Sequence, residues 1–195
     1  MVSRQSARSA LRHATSADHE RVDAAFSRFD LASRDGYGAF LVAQAAAHLP
    51  VEAALDAAGV ARVLPDWPQR RRGDRLRADL AAMGLEPAAA EPAAGACIQA
   101  LSAALADEAG MLGAVYVLEG SRLGGVLLRR SVPDGLPVTF LEAGDSAAWR
   151  TLLVTLDERL CSEQDINLAV SAAARVFAVF EASGRSVAEV SGFDD

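Results

Sequence analysis

The chain has 195 residues, a formal net charge of −7, 51% hydrophobic and 23% charged residues, and only 6% aromatics. That length suits one domain with a sizeable core, and that charge argues against non-specific nucleic-acid binding, which needs a basic field. Abundant alanine favours packed helices over sheets, and the absence of lysine means that an acidic ligand must be met by guanidinium groups.

The segment from Met1 to Arg12 is polar and lacks the apolar stretch of a secretory signal. No uninterrupted apolar run reaches the ~18 residues of a membrane span. Cys97 and Cys161 show no paired or metal-type spacing, which fits a reducing compartment. The expectation is a soluble cytoplasmic protein with no membrane and no nucleic-acid partner.

Residues 6–29 read as one amphipathic helix, with Leu11, Ala14, Val22, Ala25, Phe26 and Phe29 at helical spacing. Asp35-Gly36 precedes a second helix that stops near Gly59, with Pro50 predicting a kink or restart. Residues 60–72 contain two prolines and read as a surface connection, whose triplet Arg70-Arg71-Arg72 is a solvated run flanked by Asp66 and Asp74. A short helix follows with Leu76, Leu80 and Met83 on one face and Gly84 as its stop. Residues 86–95 are Ala/Pro-rich and read as irregular.

From Ala96 to Arg130 a long apolar segment runs, interrupted only by glycines at 110, 113, 120, 124 and 125. Residues 131–145 form a second loop, with a weak strand signal at 138–141. Two closing helices are expected, about 146–160 and 163–182, the latter capped by Ser162. The fold class is all-α: a single-domain helical bundle over residues 1–195, with ends at about 1–5 and 184–195 disordered.

Two features carry chemistry. His19 lies mid-helix in Thr15-x-x-x-His19-x-x-x-Asp23, so a carboxylate stands one turn away on its face. Asp23 either sets the imidazole tautomer and frees the other nitrogen for a metal, or is merely a surface partner. His13 falls on the opposite face, and His48 ends an alanine run as a core or loop histidine. No two histidines are four apart, so a protein-only zinc site is disfavoured, and one imidazole with a cofactor bringing its own nitrogens is more economical. The second feature is Tyr116-Val-Leu-Glu-Gly120-Ser121-Arg-Leu-Gly124-Gly125. Each helical glycine costs about 1 kcal/mol relative to alanine. The bare face serves either close helix packing or a flat ligand laid against the backbone.

The setting Leu11-Arg12-x-x-Thr15-x-x-x-His19-Glu20 resembles the proximal-helix motif of haem oxygenases, and residues 116–125 resemble their distal helix. With Leu64-Pro-Asp-Trp67 and Leu76-Arg-x-Asp-Leu80 between them, the likeness spans nearly the whole chain and is greatest to the bacterial branch associated with bacteriophytochromes. The resemblance implies a haem oxygenase-like bundle with haem as both substrate and cofactor. His19 would ligate the iron. Gly120, Gly124 and Gly125 would form the distal face, and Ser121 would border the oxygen site and help guide ordered water. Arg12 matches a position that pairs with a haem propionate; Arg175 is a further propionate candidate, and Phe177 would pack on the haem edge.

The implied activity is oxidative cleavage of haem to biliverdin with release of iron and carbon monoxide. Electrons would come from a ferredoxin or flavin reductase, and a bacteriophytochrome would consume the bilin. Many family members carry aspartate at the position of Ser121, a departure that bears on the proton relay. Two competing readings are a haem-binding or sensing protein of this fold without turnover, and a non-haem helical module whose glycines only pack helices.

Overall fold

The computed structural model describes residues 6–88 and 92–192. Among them, nine α-helices and three short 3-10 turns occur and no strand, as the composition implies. In chain order the helices are α1 (Ala7–Ala14), α2 (Ser16–Phe26), α3 (Arg34–Ala58), α4 (Trp67–Arg70), α5 (Gly73–Met83), α6 (Pro92–Ala104), α7 (Glu108–Leu128), α8 (Ser146–Arg159) and α9 (Glu163–Ser191).

Local signals set most boundaries. Gly59 and Gly84 end α3 and α5 in the left-handed conformation, at φ +80° and +73°, which glycine adopts without a Cβ penalty. Ser162 opens α9 with a capping box: its hydroxyl accepts from the Asp165 N–H, and the Asp165 carboxylate accepts from the Ser162 N–H.

Several expectations are corrected. The first helix is two, because Thr15 leaves helical geometry and donates its hydroxyl to the Leu11 carbonyl at 2.8 Å. His19 therefore sits in the first turn of α2 rather than mid-helix. Pro50 does not interrupt α3, which runs through it for 25 residues. The long apolar segment breaks at residues 105–107, and α7 passes unbroken through all five glycines. Pro92 starts α6 instead of preventing it, while residues 89–91 of the expected irregular stretch lie outside the described residues. The weak strand is a 3-10 turn, Thr139–Leu141, because the buried Asp79 carboxylate accepts from the Thr139 and Phe140 N–H groups. The carboxyl-terminal helix runs nine residues beyond its predicted end, so 184–191 are helical. Residues 1–5 and 193–195 lie outside the described residues.

The Arg70–Arg72 run is not a solvated surface: Arg70 and Arg72 are buried and only Arg71 is exposed. Nor does the lack of an uninterrupted apolar run extend to hydropathy. The segments Arg34–Ala58, Glu108–Ser131 and Glu163–Ser191 each reach a mean hydropathy of 1.3, long and apolar enough to cross a bilayer by length and composition. In the bundle, this apolar surface supplies much of the core.

One core cluster joins α1, α3, α6, α7, α8 and α9 around Leu11, Val51, Leu55, Leu112, Val115 and Val176. A second gathers Tyr37, Phe40, Leu41, Leu76, Leu80, Phe140 and Leu141. Both α3 and α9 run through the two clusters. The consequence for the site is that α2 and α7 each pack along α9, which makes α9 their shared floor.

Candidate functional site

On α2, His19 is 63% exposed, and its Nδ1 stands 2.9 Å from Asp23 Oδ2. With Asp23 ionised, Nδ1 carries the proton and donates, so the lone pair resides on Nε2. The imidazole meets the Phe177 ring edge-on at 5.8 Å, which ties α2 to α9 and brings two predicted site residues together. His13 is exposed, whereas His48 is a core histidine at 1% exposure.

The glycines of α7 divide into two groups. A Cβ on Gly113 would stand 2.7 Å from the Ala169 carbonyl carbon, and one on Gly110 would run into the carbonyl of Ala104. Helix packing therefore demands both. A Cβ on Gly120 would meet only Trp149 at 3.9 Å, one on Gly125 would touch Leu141 at 3.6 Å, and one on Gly124 would meet nothing. None of these three has a positive φ. The protein's own packing thus gives no reason for glycine at 120, 124 or 125. Beside this bare backbone, Leu123 and Leu127 are 57% and 61% exposed.

Arg12, on α1, is exposed and close enough to Tyr116 to act on its phenol. Burial raises the Tyr116 pKa, and the charges of Arg8 and Arg12 partly oppose that rise. Tyr116 lies one turn before Gly120 on α7. Arg175 is exposed and lies two residues, roughly 200° around α9, from Phe177. The structure does not bring it to this group.

Ser121 is exposed, yet its hydroxyl is engaged. It donates to the Leu118 carbonyl at 2.7 Å and accepts from Arg72 Nη2 at 2.6 Å. Behind it lies a buried polar network that the sequence reading missed. Arg70 makes a two-point pair with Asp66 at 2.9 and 2.8 Å and donates to Glu119 at 3.2 Å. Arg122 pairs with Glu119 at 2.9 Å and donates to the Arg70 carbonyl. Glu52 accepts from the N–H groups of Arg72 and Gly73, at 2.7 and 3.1 Å, and from His48 Nε2 at 3.0 Å. Burial lowers the His48 pKa to about 4 against the opposing pull of Glu52, so the ring is neutral and Nδ1 is a buried acceptor with no hydrogen-bond partner among the described residues. Burial pushes the Glu52 carboxyl up, but the hydrogen bonds from His48 and the two backbone donors outweigh it and hold the group well below its ordinary range. The sequence signals were faint: a carboxylate four residues after His48, and Glu119 within an apolar run.

No protein-family model matches the chain. Over 172 residues it is 29% identical to heme oxygenase PigA of Pseudomonas aeruginosa, covering 84% of this chain and 83% of that protein. Over 121 residues it is 32% identical to the heme oxygenase of Xanthomonas campestris pv. campestris, covering 58% of this chain and 67% of that protein. The chain belongs to the haem oxygenase family. Solved structures of haem oxygenases share its fold. That of Neisseria meningitidis, determined with NO and CO bound, superposes with a TM-score of 0.73 at 21% identity over 91% of this chain and 89% of that one. That of Leptospira interrogans gives 0.74 at 18% identity over 93% of this chain and all of that one. As a haem oxygenase family member, the chain has an exposed imidazole on α2 and a bare glycine face on α7, both resting on α9.

Proposed function

We propose that this chain is a haem oxygenase that binds haem between α2 and the glycine face of α7 and cleaves it to biliverdin, iron and carbon monoxide. The observation that carries the reading is the division among the α7 glycines. Gly110 and Gly113 are explained by packing, whereas Gly120 and Gly124 sacrifice helix stability with no neighbour that needs them. A flat macrocycle lying against the backbone accounts for that sacrifice.

In this reading His19 holds the iron through Nε2, because Asp23 keeps the proton on Nδ1. Phe177 supports the imidazole from below, and Leu123 and Leu127 supply apolar walls. Arg12 meets a propionate at the α1 end of the face. Haem supplies the redox chemistry of oxygen activation. The chain's residues orient the macrocycle, limit water at its distal side and place the Ser121 hydroxyl beside it. Electrons come from an external donor, a ferredoxin or a flavin reductase. We further read residues 1–195 as one such unit, cytoplasmic, with a bacteriophytochrome as consumer of the bilin. The support for that last step is the resemblance of residues 116–125, with serine at 121, to the phytochrome-linked branch.

One observation favours a second reading, haem binding without turnover: the Ser121 hydrogen is already committed to the Leu118 carbonyl. Haemin titration of the wild type and of His19→Ala, followed by product analysis with reductant and catalase present, separates the readings. The wild type is expected to give a Soret band and biliverdin, and His19→Ala an altered Soret band and no product. A stable Soret complex that yields no biliverdin would establish the second reading.

A further inference from the structure

Arg72 is a buried cation without a direct ion pair among the described residues. It is 3% exposed, and among the described residues no carboxylate lies within ion-pair distance of its guanidinium. Glu52 commits its oxygens to the Arg72 and Gly73 backbone, to His48 and to Arg71. Glu119 is taken by Arg70 and Arg122. The guanidinium instead lies over the Phe140 ring at 4.7 Å and directs Nη2 at the Leu118 carbonyl and at Ser121 Oγ. Glu119 and Glu52 offset its charge in part from a distance, while Arg122 and Arg75 oppose it, so the guanidinium is held without a direct ion pair.

Of its three contacts, Ser121 is the exposed one. A hydroxyl has one hydrogen and two lone pairs. The hydrogen goes to Leu118 and one lone pair receives Arg72, so a single acceptor lone pair remains at an exposed position beside Gly120 and Gly124. A water donating one hydrogen to that lone pair points its other hydrogen outward, with the Arg72 guanidinium hydrogen-bonded to the same oxygen from behind. We infer that Arg72 is a positioning residue that, through Ser121, makes the wall beside Gly120 and Gly124 select anionic or oxygen-bearing ligands over neutral nitrogen ligands. This inference rests on the haem reading above.

The test uses the full chain loaded with ferric haem and compares wild type, Arg72→Gln, Arg72→Lys, Ser121→Ala and the Gln/Ala double variant. Azide and imidazole, an anionic and a neutral iron ligand, are titrated against the Soret band, and folding is checked by circular dichroism before haem is added. Arg72→Gln is expected to weaken azide about tenfold and leave imidazole within about twofold, the signature of a lost nearby charge in a poorly screened site. Arg72→Lys keeps most of the azide affinity. Ser121→Ala weakens azide in the same direction, and the double variant is no worse than Arg72→Gln alone, because the two residues act in series. Equal losses for both ligands, no loss for either, or additive losses in the double variant would overturn the proposal. Should Arg72→Gln fail to fold, Ser121→Ala decides alone: an unchanged azide-to-imidazole ratio overturns the proposal and a lowered ratio supports it. If the wild type itself forms no Soret complex, the haem reading fails first and this inference with it. A normal Soret complex with an unselective wall removes only the role of Arg72.

Discussion

Gly113 and Ala169 lie so close that the α7 and α9 backbones touch: a Cβ at 113 would stand 2.7 Å from both the Cα and the carbonyl carbon of Ala169. Eleven residues further along the same helix, Gly124 faces open space. Two glycines with one local conformation therefore have opposite responses to alanine. Gly113→Ala is expected to destabilise the protein by about 3 kcal/mol, since backbone atoms cannot yield as a side chain does. Gly124→Ala is expected to stabilise the haem-free protein by about 0.5–1 kcal/mol, yet to weaken haemin binding. Denaturant unfolding with and without haemin checks both signs.

The partnership of His19 with Asp23 is exposed on both sides, so its effect belongs to ligation rather than stability. Asp23→Ala is expected to leave the melting temperature unchanged. It should lower haemin affinity about tenfold, the usual scale for the group that orients a ligating imidazole. His19→Ala should instead change the ligation itself, visible in the resonance Raman spectrum of the ferrous complex. An unaltered spectrum in His19→Ala would remove this residue from the site.

Glu119 pairs with both Arg70 and Arg122 inside the bundle, at 3.2 and 2.9 Å. Glu119→Ala leaves the buried Arg70 guanidinium with Asp66 and the Ala148 carbonyl and is expected to destabilise the fold by about 3 kcal/mol. Glu119→Gln, which keeps two polar oxygen or nitrogen positions, should lose less. Thermal melts of the two variants, compared with Arg122→Ala, apportion the network.

His48 introduces acid sensitivity. Its pKa falls from 6.5 to about 4 on folding, because burial disfavours the imidazolium. Between those values the unfolded chain binds a proton that the folded chain refuses, so stability falls as pH drops, by up to about 1.4 kcal/mol per pH unit. Glu52, lowered in its turn, adds a further loss only below its ordinary value of 4.5. In His48→Gln the slope between pH 6.5 and about 4 should flatten. Urea titrations across that window measure it, and an unchanged slope would assign the acid loss elsewhere.

Much of the architecture was legible because its signals are local. Gly59, Gly84 and Ser162 act on the turn they occupy, and each ends or starts a helix where the sequence places it. The break at Thr15 was not legible, because a threonine hydroxyl that bonds back to Leu11 looks in sequence like any threonine within a helix. The break at 105–107 was misplaced for a related reason. The glycines that seemed to interrupt the segment are where α7 makes its closest approaches, not where it ends.

The imidazole with its carboxylate one turn on, the glycine pattern of residues 116–125 and the all-helical composition are properties of the chain itself, since each depends only on neighbours within a few residues. Two decisions belonged to the assembled bundle. One is which glycines are held by packing and which stand open; the other is that Arg70 and Arg72, written as a basic run, are interior groups. Both depend on atoms brought from about 50 or more residues away, Ala169 to Gly113 and Glu119 to Arg70, and burial is a relation between segments that no single stretch of sequence contains.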